Sequence, residues 1–198
     1  MKLIVDQQEL NFPDRWSMTD KEFFDFASQM NENRIERDKH GNIFIMPPVG
    51  FESGIFENDA AFYVKQWALT NGGKGINSNI GFILPNNSMR SPDAGWISDE
   101  RYKEIPKDER KKFPRICPEF IIEIRSESDR IKALKEKMVE YMENGARLGF
   151  LIDPVEQKAY VYRLDADVEV ITDFSGSLSG YDVMPGFDLP LSIFKVNE

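Results

Sequence analysis

Apolar and polar residues follow one another in blocks that predict a strand, a helix and a second strand within residues 119–153. The block FIIEI at 120–124 is rich in β-branched and aromatic residues, which pack well in a buried strand. The next block, at about 128–143, has apolar residues at helical spacing, namely Leu134, Met138 and Tyr141. The run LGFLID then predicts a strand that is the parallel neighbour of the first, as in a crossover unit.

The rest of the chain also alternates between helix and strand patterns. A first helix is predicted from about Thr19 to Met30, because Thr19 with Glu22 has the form of a capping box. The other predicted elements are a hairpin in RIERDKHGNIFIM, a helix at about 54–70, strands at about 76–84 and 93–97, short helix and loop at 101–112, and strands in KAYVYR and VEVIT. This order indicates an α/β or α+β fold, in which a central mixed sheet is flanked by helices. A chain of 198 residues is most simply one domain, residues 1–198.

Glu123 is an unusual residue for so apolar a strand. Side chains alternate between the two faces of a strand, so Glu123 shares its face with Ile121 and Arg125. An ionised carboxylate in apolar surroundings is costly unless it is paired or binds a metal ion. The sequence leaves three explanations open: an ion pair with Arg125, a position at an exposed sheet edge, or a role as a metal ligand.

A second carboxylate that could share a metal ion with Glu123 is Asp93, in the motif RSPDAGW. Two carboxylates on neighbouring strands can hold a hard cation such as Mg²⁺, which prefers oxygen ligands and keeps several waters. Such an ion lowers the pKa of a bound water and neutralises the charge that develops on a phosphodiester. By spacing alone, an aspartate that follows Pro92 is more typical of a turn.

The rare residue types exclude several kinds of chemistry. Cys117 is the only cysteine, so the chain can form neither an internal disulfide nor a zinc site built from thiolates. His40 is the only histidine and is predicted to lie exposed in a turn beside Gly41, which argues against a Ser-His-Asp triad or a histidine-rich zinc site. If the protein is an enzyme, carboxylates, lysines and arginines must therefore carry its acid–base and metal chemistry.

The net charge of −9 argues against strong nonspecific binding to nucleic acid. The charge is uneven, because residues 101–137 contain 12 Lys/Arg and 8 Asp/Glu, a local balance of +4 around the predicted Glu123 strand. No apolar run approaches the roughly 20 residues that span a bilayer, and the segment MKLIVDQQELNFPDRW lacks the pattern of a signal peptide. We therefore expect a cytoplasmic protein that does not interact with membranes.

Three motifs, in the same order, resemble those of the Uma-type endonuclease family. They are RSPDAGW, PEFIIEIRSESD and LKEKMVEYMENGARLGFLIDP, and the similarity extends from about PPVGFESG at 47–54 to the closing LSGYDVMPGFDLPL. This family is a bacterial branch of the PD-(D/E)XK, or restriction-endonuclease-like, superfamily. The resemblance covers roughly three-quarters of the chain and implies a restriction-endonuclease-like central mixed sheet flanked by helices.

The resemblance implies a metal site and assigns residues to it. Asp93 matches the aspartate that follows proline in the family pattern, and Glu123 matches the acidic residue of the next strand. The backbone carbonyl of Ile124 is expected near the metal ion, which would be Mg²⁺ or Mn²⁺. A further acidic residue from the second helix often completes such sites; Glu52 and Glu57 are candidates, although exposed surface positions fit both.

The chain departs from the superfamily pattern at Arg125, where a lysine is expected two residues after the acid. An arginine stays protonated and cannot act as a general base, but it can contact phosphate. In this branch a lysine of the following helix is thought to replace the strand lysine. Lys137 is the best candidate, because it lies about 60° from Leu134 around the helix, near the apolar face. A solvated position at the edge of that face also fits Lys137.

The resemblance therefore implies a metal-dependent endonuclease that hydrolyses phosphodiester bonds, most simply in DNA. Its catalytic residues would be Asp93, Glu123, Lys137 and Arg125. A homodimer is a further expectation from the family. The alternative is a catalytically inactive module of the same fold that binds nucleic acid or a protein partner. The net charge and the departure at Arg125 both favour this alternative.

Overall fold

The computed structural model describes residues 2–5, 8–11, 18–30 and 33–195. In chain order the strands are β1 (Lys2–Val5), β2 (Gln8–Asn11), β3 (Arg34–Arg37), β4 (Ile43–Met46), β5 (Lys74–Asn77), β6 (Phe82–Ile83), β7 (Met89–Arg90), β8 (Ala94–Ile97), β9 (Phe120–Ile124), β10 (Leu148–Asp153), β11 (Lys158–Arg163), β12 (Glu169–Ile171), β13 (Ser177–Ser179) and β14 (Asp188–Pro190). The α-helices are α1 (Asp20–Ala27), α2 (Phe51–Asn71), α3 (Asp99–Glu104) and α4 (Ile131–Glu143), and two short 3-10 helices cover Glu109–Lys111 and Leu191–Phe194. These elements form two compact units, and neither unit is one continuous segment.

The larger unit lies within residues 49–78, 92–104 and 117–198 and contains a six-stranded sheet. The strand order is β12-β11-β10-β9-β8-β5. Strands β9 and β10 are parallel and are connected by α4, which confirms the predicted crossover unit. Strand β8 pairs antiparallel with β9 on the other side, so the sheet is mixed, as the sequence predicts.

Helices cover both faces of this sheet. Helix α2 packs on the face of Phe120, Ile122 and Ile124, and the inner side of the helix contributes Phe56, Ala60, Val64 and Ala68 to the core. Helix α4 packs on the other face, where Gly149 of β10 lies beside Ile121. A Cβ atom on Gly149 would lie 2.6 Å from the Met138 side chain, so glycine permits the close approach of α4. No helix in the described ranges is both long and apolar enough to cross a bilayer.

The smaller unit lies within residues 1–48, 79–91 and 105–116, with the strand order β2-β1-β4-β3-β7-β6. Strands β3 and β4 form the predicted hairpin, and Gly41 in its turn has a φ of 84°, which favours glycine. Helix α1 begins with the predicted capping box between Thr19 and Glu22. The core of this unit consists of Phe23, Ile35, Ile43, Ile45, Ile83 and Met89.

Several boundaries differ from the sequence prediction. The predicted strand at 76–84 is divided into β5 and β6, which belong to different sheets, because Ser78 and Asn79 form a turn between them. Helix α2 begins at Phe51, after Gly50, rather than at 54, and α1 ends three residues before Met30. Strands β1, β2, β7, β13 and β14 were not predicted, since each is four residues or shorter and has little pattern of its own.

The close contact between β8 and β9 leads to a stability prediction at Gly95. A Cβ atom at this position would lie 2.6 Å from the backbone oxygen of Phe120, and backbone cannot move aside as a side chain can. We expect Gly95→Ala to lower the free energy of unfolding by about 1–3 kcal/mol, measured by urea denaturation. Gly54→Ala, in α2 with only ordinary contacts, should raise that free energy by about 0.5–1 kcal/mol. Equal effects of the two substitutions would contradict this packing argument.

Candidate functional site

Glu123 is the fourth of the five residues of β9 and is almost completely buried, with 2% of its surface exposed. Two side chains of α4 reach its carboxylate. The Lys137 Nζ lies 2.8 Å from Oε1 and 3.0 Å from Oε2, and the Tyr141 hydroxyl donates to Oε1 at 3.1 Å. Lys137 and Tyr141 are four residues apart, so one face of α4 presents both donors. The buried glutamate is therefore paired with the helix rather than with its strand neighbour Arg125.

Asp93 directly precedes β8 and is also buried, at 4% exposed. Ala94 of β8 pairs with Ile122 of β9 in an antiparallel register. The next position along that register places Asp93 opposite Glu123. The Asp93 Oδ2 accepts a hydrogen bond from the Ile124 backbone N–H at 2.7 Å. Strand β8 does not extend to this point, so the carboxylate takes the position of a strand partner for that N–H. The structure thus brings together the three residues predicted as metal ligands.

Arg125 follows β9 and forms an ion pair with Asp153, the last residue of β10. Its NH1 atom lies 2.9 Å from the Asp153 Oδ2, and its Nε donates to the Asp129 backbone oxygen at 3.3 Å. Asp153 is 1% exposed, and its Oδ1 accepts a hydrogen bond from the Glu156 backbone N–H at 3.0 Å. The ion pair therefore joins the ends of the two parallel strands, directly after Glu123 and Ile124.

The connection from β9 to α4 is closed by a hydrogen-bonded turn. The Asp129 Oδ2 accepts hydrogen bonds from the backbone N–H and the hydroxyl of Ser126, at 2.9 and 2.7 Å. This turn occupies residues that the sequence predicts as the first turn of the helix, so α4 begins at Ile131 rather than at 128. The turn therefore fixes where α4 begins relative to the end of β9, and α4 carries Lys137 and Tyr141.

The two further acidic candidates lie near the start of α2. Glu52 is exposed and Glu57 is half-buried. Within the described part of the chain, no three or more histidine, cysteine, aspartate or glutamate side chains form a group that could hold a metal ion. Among the described residues, Asp93 and Glu123 are therefore not joined by a third such side chain in a metal-binding group.

The single cysteine and the single histidine lie in surroundings that do not suit catalysis. Cys117 is buried, and burial raises the pKa of its thiol to about 12, so the thiol stays protonated at neutral pH. His40 is exposed in the turn between β3 and β4, as predicted. The chemistry of the described residues therefore rests on carboxylates, lysines and arginines.

Two residues of this site carry contacts that the sequence analysis did not predict. Tyr141 is predicted only as part of the apolar stripe of the helix, and Asp153 only as the last residue of the LGFLID strand. A signal exists for Tyr141, because a buried tyrosine hydroxyl needs a hydrogen-bond partner and the residue lies one helical turn after Lys137. The pairing of Asp153 with Arg125 depends on the alignment of β9 and β10, which a single sequence does not fix.

The fold is shared with a solved structure, that of a putative nuclease belonging to DUF820 from Anabaena variabilis ATCC 29413. The superposition has a TM-score of 0.67 and covers 81% of this chain and 88% of that chain, at 18% sequence identity. At this identity the likeness shows the fold alone. It is a mixed α/β fold in which helices flank the central sheet, which confirms the fold class expected from the sequence.

The sequence itself defines the family. The chain belongs to the Uma2 family, described as "Putative restriction endonuclease", whose profile matches residues 20–192. No curated protein is significantly similar to the chain. Family membership supports a nuclease function, and a nuclease acts on nucleic acid.

Proposed function

We propose that the protein is a metal-dependent endonuclease that hydrolyses phosphodiester bonds in DNA. One observation carries the proposal: the buried carboxylates belong to Asp93, directly before β8, and to Glu123, on the neighbouring strand β9, and the Lys137 ammonium contacts Glu123. Phosphodiester hydrolysis needs an activated water and positive charge beside the phosphate. Two carboxylates that hold a divalent cation, together with a lysine, can provide both, and membership of the Uma2 family agrees with this reaction.

The chemistry of the donor atoms fits Mg²⁺ or Mn²⁺. Asp93 and Glu123 offer carboxylate oxygens and Ile124 offers a backbone carbonyl, and all are hard oxygen donors of the kind these ions prefer. Both carboxylates are buried, and a cation between them would neutralise part of their negative charge. Mg²⁺ keeps several waters, so two carboxylates are sufficient. When bound, the ion lowers the pKa of a bound water and neutralises charge on the phosphate.

Lys137 and Tyr141 have distinct roles in this proposal. Lys137 reaches the carboxylate as a hydrogen-bond donor and brings a positive charge to the place where the phosphate would become more negative. It also orients the attacking water. Tyr141 is a positioning residue, because its hydroxyl holds one oxygen of Glu123 from inside the protein. Together the two donors fix the plane of the Glu123 carboxylate.

Arg125 supports the strand ends and contacts the phosphate. A guanidinium carries five N–H donors, and its bonds to Asp153 and to the Asp129 backbone use two of them. The side chain is 18% exposed, so part of it reaches the solvent directly after the end of β9. Arginine is suited to this double contact because its planar fork can hold a carboxylate and a phosphate oxygen in one geometry.

A cleavage assay, combined with a measurement of metal binding on the same proteins, tests this function. Purified protein is incubated with supercoiled plasmid DNA in Mg²⁺, in Mn²⁺ and in EDTA, and Mn²⁺ binding is measured by calorimetry. We expect cleavage only with metal, and loss of both cleavage and Mn²⁺ binding in Asp93→Asn. The exposed Asp182, whose side chain is 81% exposed, provides the control Asp182→Asn, which should behave as the wild type. Absence of both metal binding and cleavage of any nucleic acid by the wild type would refute the proposal.

A second candidate is a module of the same fold that binds nucleic acid without cleaving it. One observation favours it: both oxygens of Glu123 are already in contact with donors of the protein, Lys137 and Tyr141, so folding alone satisfies the carboxylate. DNA binding without cleavage, unchanged in Asp93→Asn and in EDTA, would establish this candidate.

Tyr141→Phe tests the positioning role. Removal of one hydroxyl leaves the ring and its packing in place but frees one contact of the Glu123 carboxylate. We expect Mn²⁺ affinity and the cleavage rate to fall about 10–100-fold, as for other residues that orient metal ligands. The free energy of unfolding should fall by only about 1 kcal/mol. A variant with normal metal affinity and normal cleavage would show that the hydroxyl serves packing alone.

A further inference from the structure

The larger unit contains a cavity of about 380 Å³, here called the indole cavity. Its wall is built from the end of α2 and the turn after it, from β8 and the start of α3, and from the loop before β14. Asp93 directly precedes β8, whereas Ser98, which lines the cavity, directly follows that strand. Roughly 17 Å of extended chain therefore separates Asp93 from Ser98, and the cavity is a separate site from the candidate metal site.

Two tryptophan rings form a corner in the wall of the indole cavity. Trp67 of α2 and Trp96 of β8 both line it, with ring centres 5.5 Å apart and ring planes at 82°. The Trp67 indole N–H donates to the Pro185 backbone oxygen at 3.1 Å. The Trp96 indole N–H donates to the Gly72 backbone oxygen at 3.0 Å. These bonds hold both rings in place, so the rings present carbon atoms and π faces to a ligand rather than a hydrogen-bond donor.

The charged part of the lining is acidic. Asp99 and Glu100 line the indole cavity, and among the described residues of its wall there is no lysine, arginine or histidine. Lys74, which is not part of the lining, lies 2.6 Å from the Asp99 Oδ1 and offsets the charge of that carboxylate. Glu100 is exposed and adds a second negative charge at the rim. The cavity therefore disfavours phosphates and other anions and favours a cation.

A ligand that matches this lining carries a positive charge on an apolar surface. A bare metal ion does not match it, because such ions need several oxygen ligands and the described residues contain no group of three suitable side chains. An alkylated ammonium ion spreads its charge over methyl or methylene groups. Such an ion is attracted to a tryptophan face within about 6 Å of the ring centre, and its alkyl groups can contact Val183 and Pro185.

We propose that the indole cavity binds a small alkylated ammonium ion. Trp67 and Trp96 contact the alkyl groups around the nitrogen, and Glu100 provides the opposite charge at the rim. The volume of about 380 Å³ lies within the range of small-molecule sites, which combine apolar walls with a few polar groups. Because both indole rings are already held by backbone oxygens, the site needs little rearrangement to accept its ligand.

Choline and an uncharged molecule of the same shape test this binding. The uncharged probe is 3,3-dimethylbutan-1-ol, in which a carbon atom replaces the nitrogen. In calorimetry with metal-free protein, we expect choline to bind with a dissociation constant of about 1 mM or lower. The uncharged probe should bind at least about tenfold more weakly, because it lacks the charge that the rings and Glu100 attract. Neither metal nor nucleic acid is present, so this result is independent of the proposed nuclease activity.

Substitution of Trp67 tests the contribution of the rings. Trp67→Leu keeps an apolar side chain but removes the π face, and we expect its choline affinity to fall at least about tenfold. Trp67→Phe keeps an aromatic ring and should lose less. Phe62→Leu is the matched control, because Phe62 is a 57% exposed aromatic residue of the same helix that does not line the cavity. Thermal unfolding of each variant checks that the fold is intact.

Glu100→Gln is a second test that leaves the packing unchanged, since Glu100 is exposed. Its choline affinity should fall about threefold to tenfold, and its affinity for the uncharged probe should not change. Glu104→Gln, an exposed residue of α3 outside the lining, should bind choline as the wild type does. No choline binding up to about 10 mM would overturn the proposal. Equal affinity for the two probes, or unchanged choline affinity in both Trp67→Leu and Glu100→Gln, would overturn it as well.

Discussion

The Glu123→Gln variant is expected to cleave DNA at least about 10³-fold more slowly than the wild type in saturating Mg²⁺. Glutamine keeps the size of the side chain and can still accept a hydrogen bond from Lys137 or Tyr141. It removes the negative charge, however, and with it half of the charged ligands of the proposed metal site. A bound metal ion stabilises the transition state, and the loss of about 4 kcal/mol of that stabilisation corresponds to a 10³-fold lower rate. The measurement is the initial rate of plasmid nicking at several Mg²⁺ concentrations.

Glu119 supplies the matched control for this substitution. It is a second buried glutamate, 5% exposed, directly before β9, and its carboxylate accepts a hydrogen bond from the Ser98 backbone N–H. Glu119→Gln keeps that acceptor and lies outside the proposed site, so its cleavage rate per folded molecule should remain within about threefold of the wild type. Equal losses in Glu119→Gln and Glu123→Gln would show that burial, and not the metal site, explains the effect.

Lys137→Met is expected to lower the free energy of unfolding by about 3 kcal/mol. Methionine can fill the space of the lysine stem, but it removes the ammonium that contacts the buried Glu123 carboxylate. Removal of one partner of a buried ion pair is much more destabilising than its replacement by two neutral groups. Urea denaturation at pH 7 measures the loss. Lys132→Met is the control, because Lys132 is 89% exposed on the same helix and its loss should change stability by less than about 0.5 kcal/mol.

A double variant separates the stability effect from the catalytic one. In Lys137→Met/Glu123→Gln the buried charge is gone together with its cation, so most of the lost stability should return. Cleavage should remain absent, because the ligand and the lysine are both removed. If Lys137→Met costs no more stability than Lys132→Met, or if the double variant is less stable than Lys137→Met, the ion pair does not stabilise the protein.

The part of the fold that carries the site could be predicted because its signals are local and strong. The β9 strand, α4 and the β10 strand each have a clear apolar pattern, and a strand–helix–strand order leaves few arrangements. The capping box at Thr19 also identifies the start of α1 to within one residue. By contrast, residues 76–84 are divided between two sheets, because β5 pairs with β8 and β6 pairs with β7, on either side of the turn at Ser78-Asn79. A continuous apolar pattern does not show which strand each half pairs with.

The same difference between local signals and long-range packing applies to the candidate site. Asp93 and Glu123 could be singled out because a carboxylate in an apolar strand requires a reason, and the family resemblance supplies the second carboxylate. The position of Lys137 around its helix places it near the apolar face, where the structure finds it beside Glu123. The partner of Arg125 could not be predicted, since it lies on β10 and is determined by tertiary packing. Tyr141 could have been included, because its hydroxyl had to be satisfied inside the protein.

The hydrogen bond from Ile124 to the Asp93 carboxylate has a consequence for the energetics of ligand binding. This carboxylate takes part in the strand pairing of the folded chain, so its position is set when the sheet forms. A ligand that binds here would not need to order a loop or reorient an acidic side chain, and little of its binding free energy would be lost to reorganisation. The sheet therefore preorganises the site. The free energy needed to place the two acidic side chains close together is spent during folding and not during ligand binding.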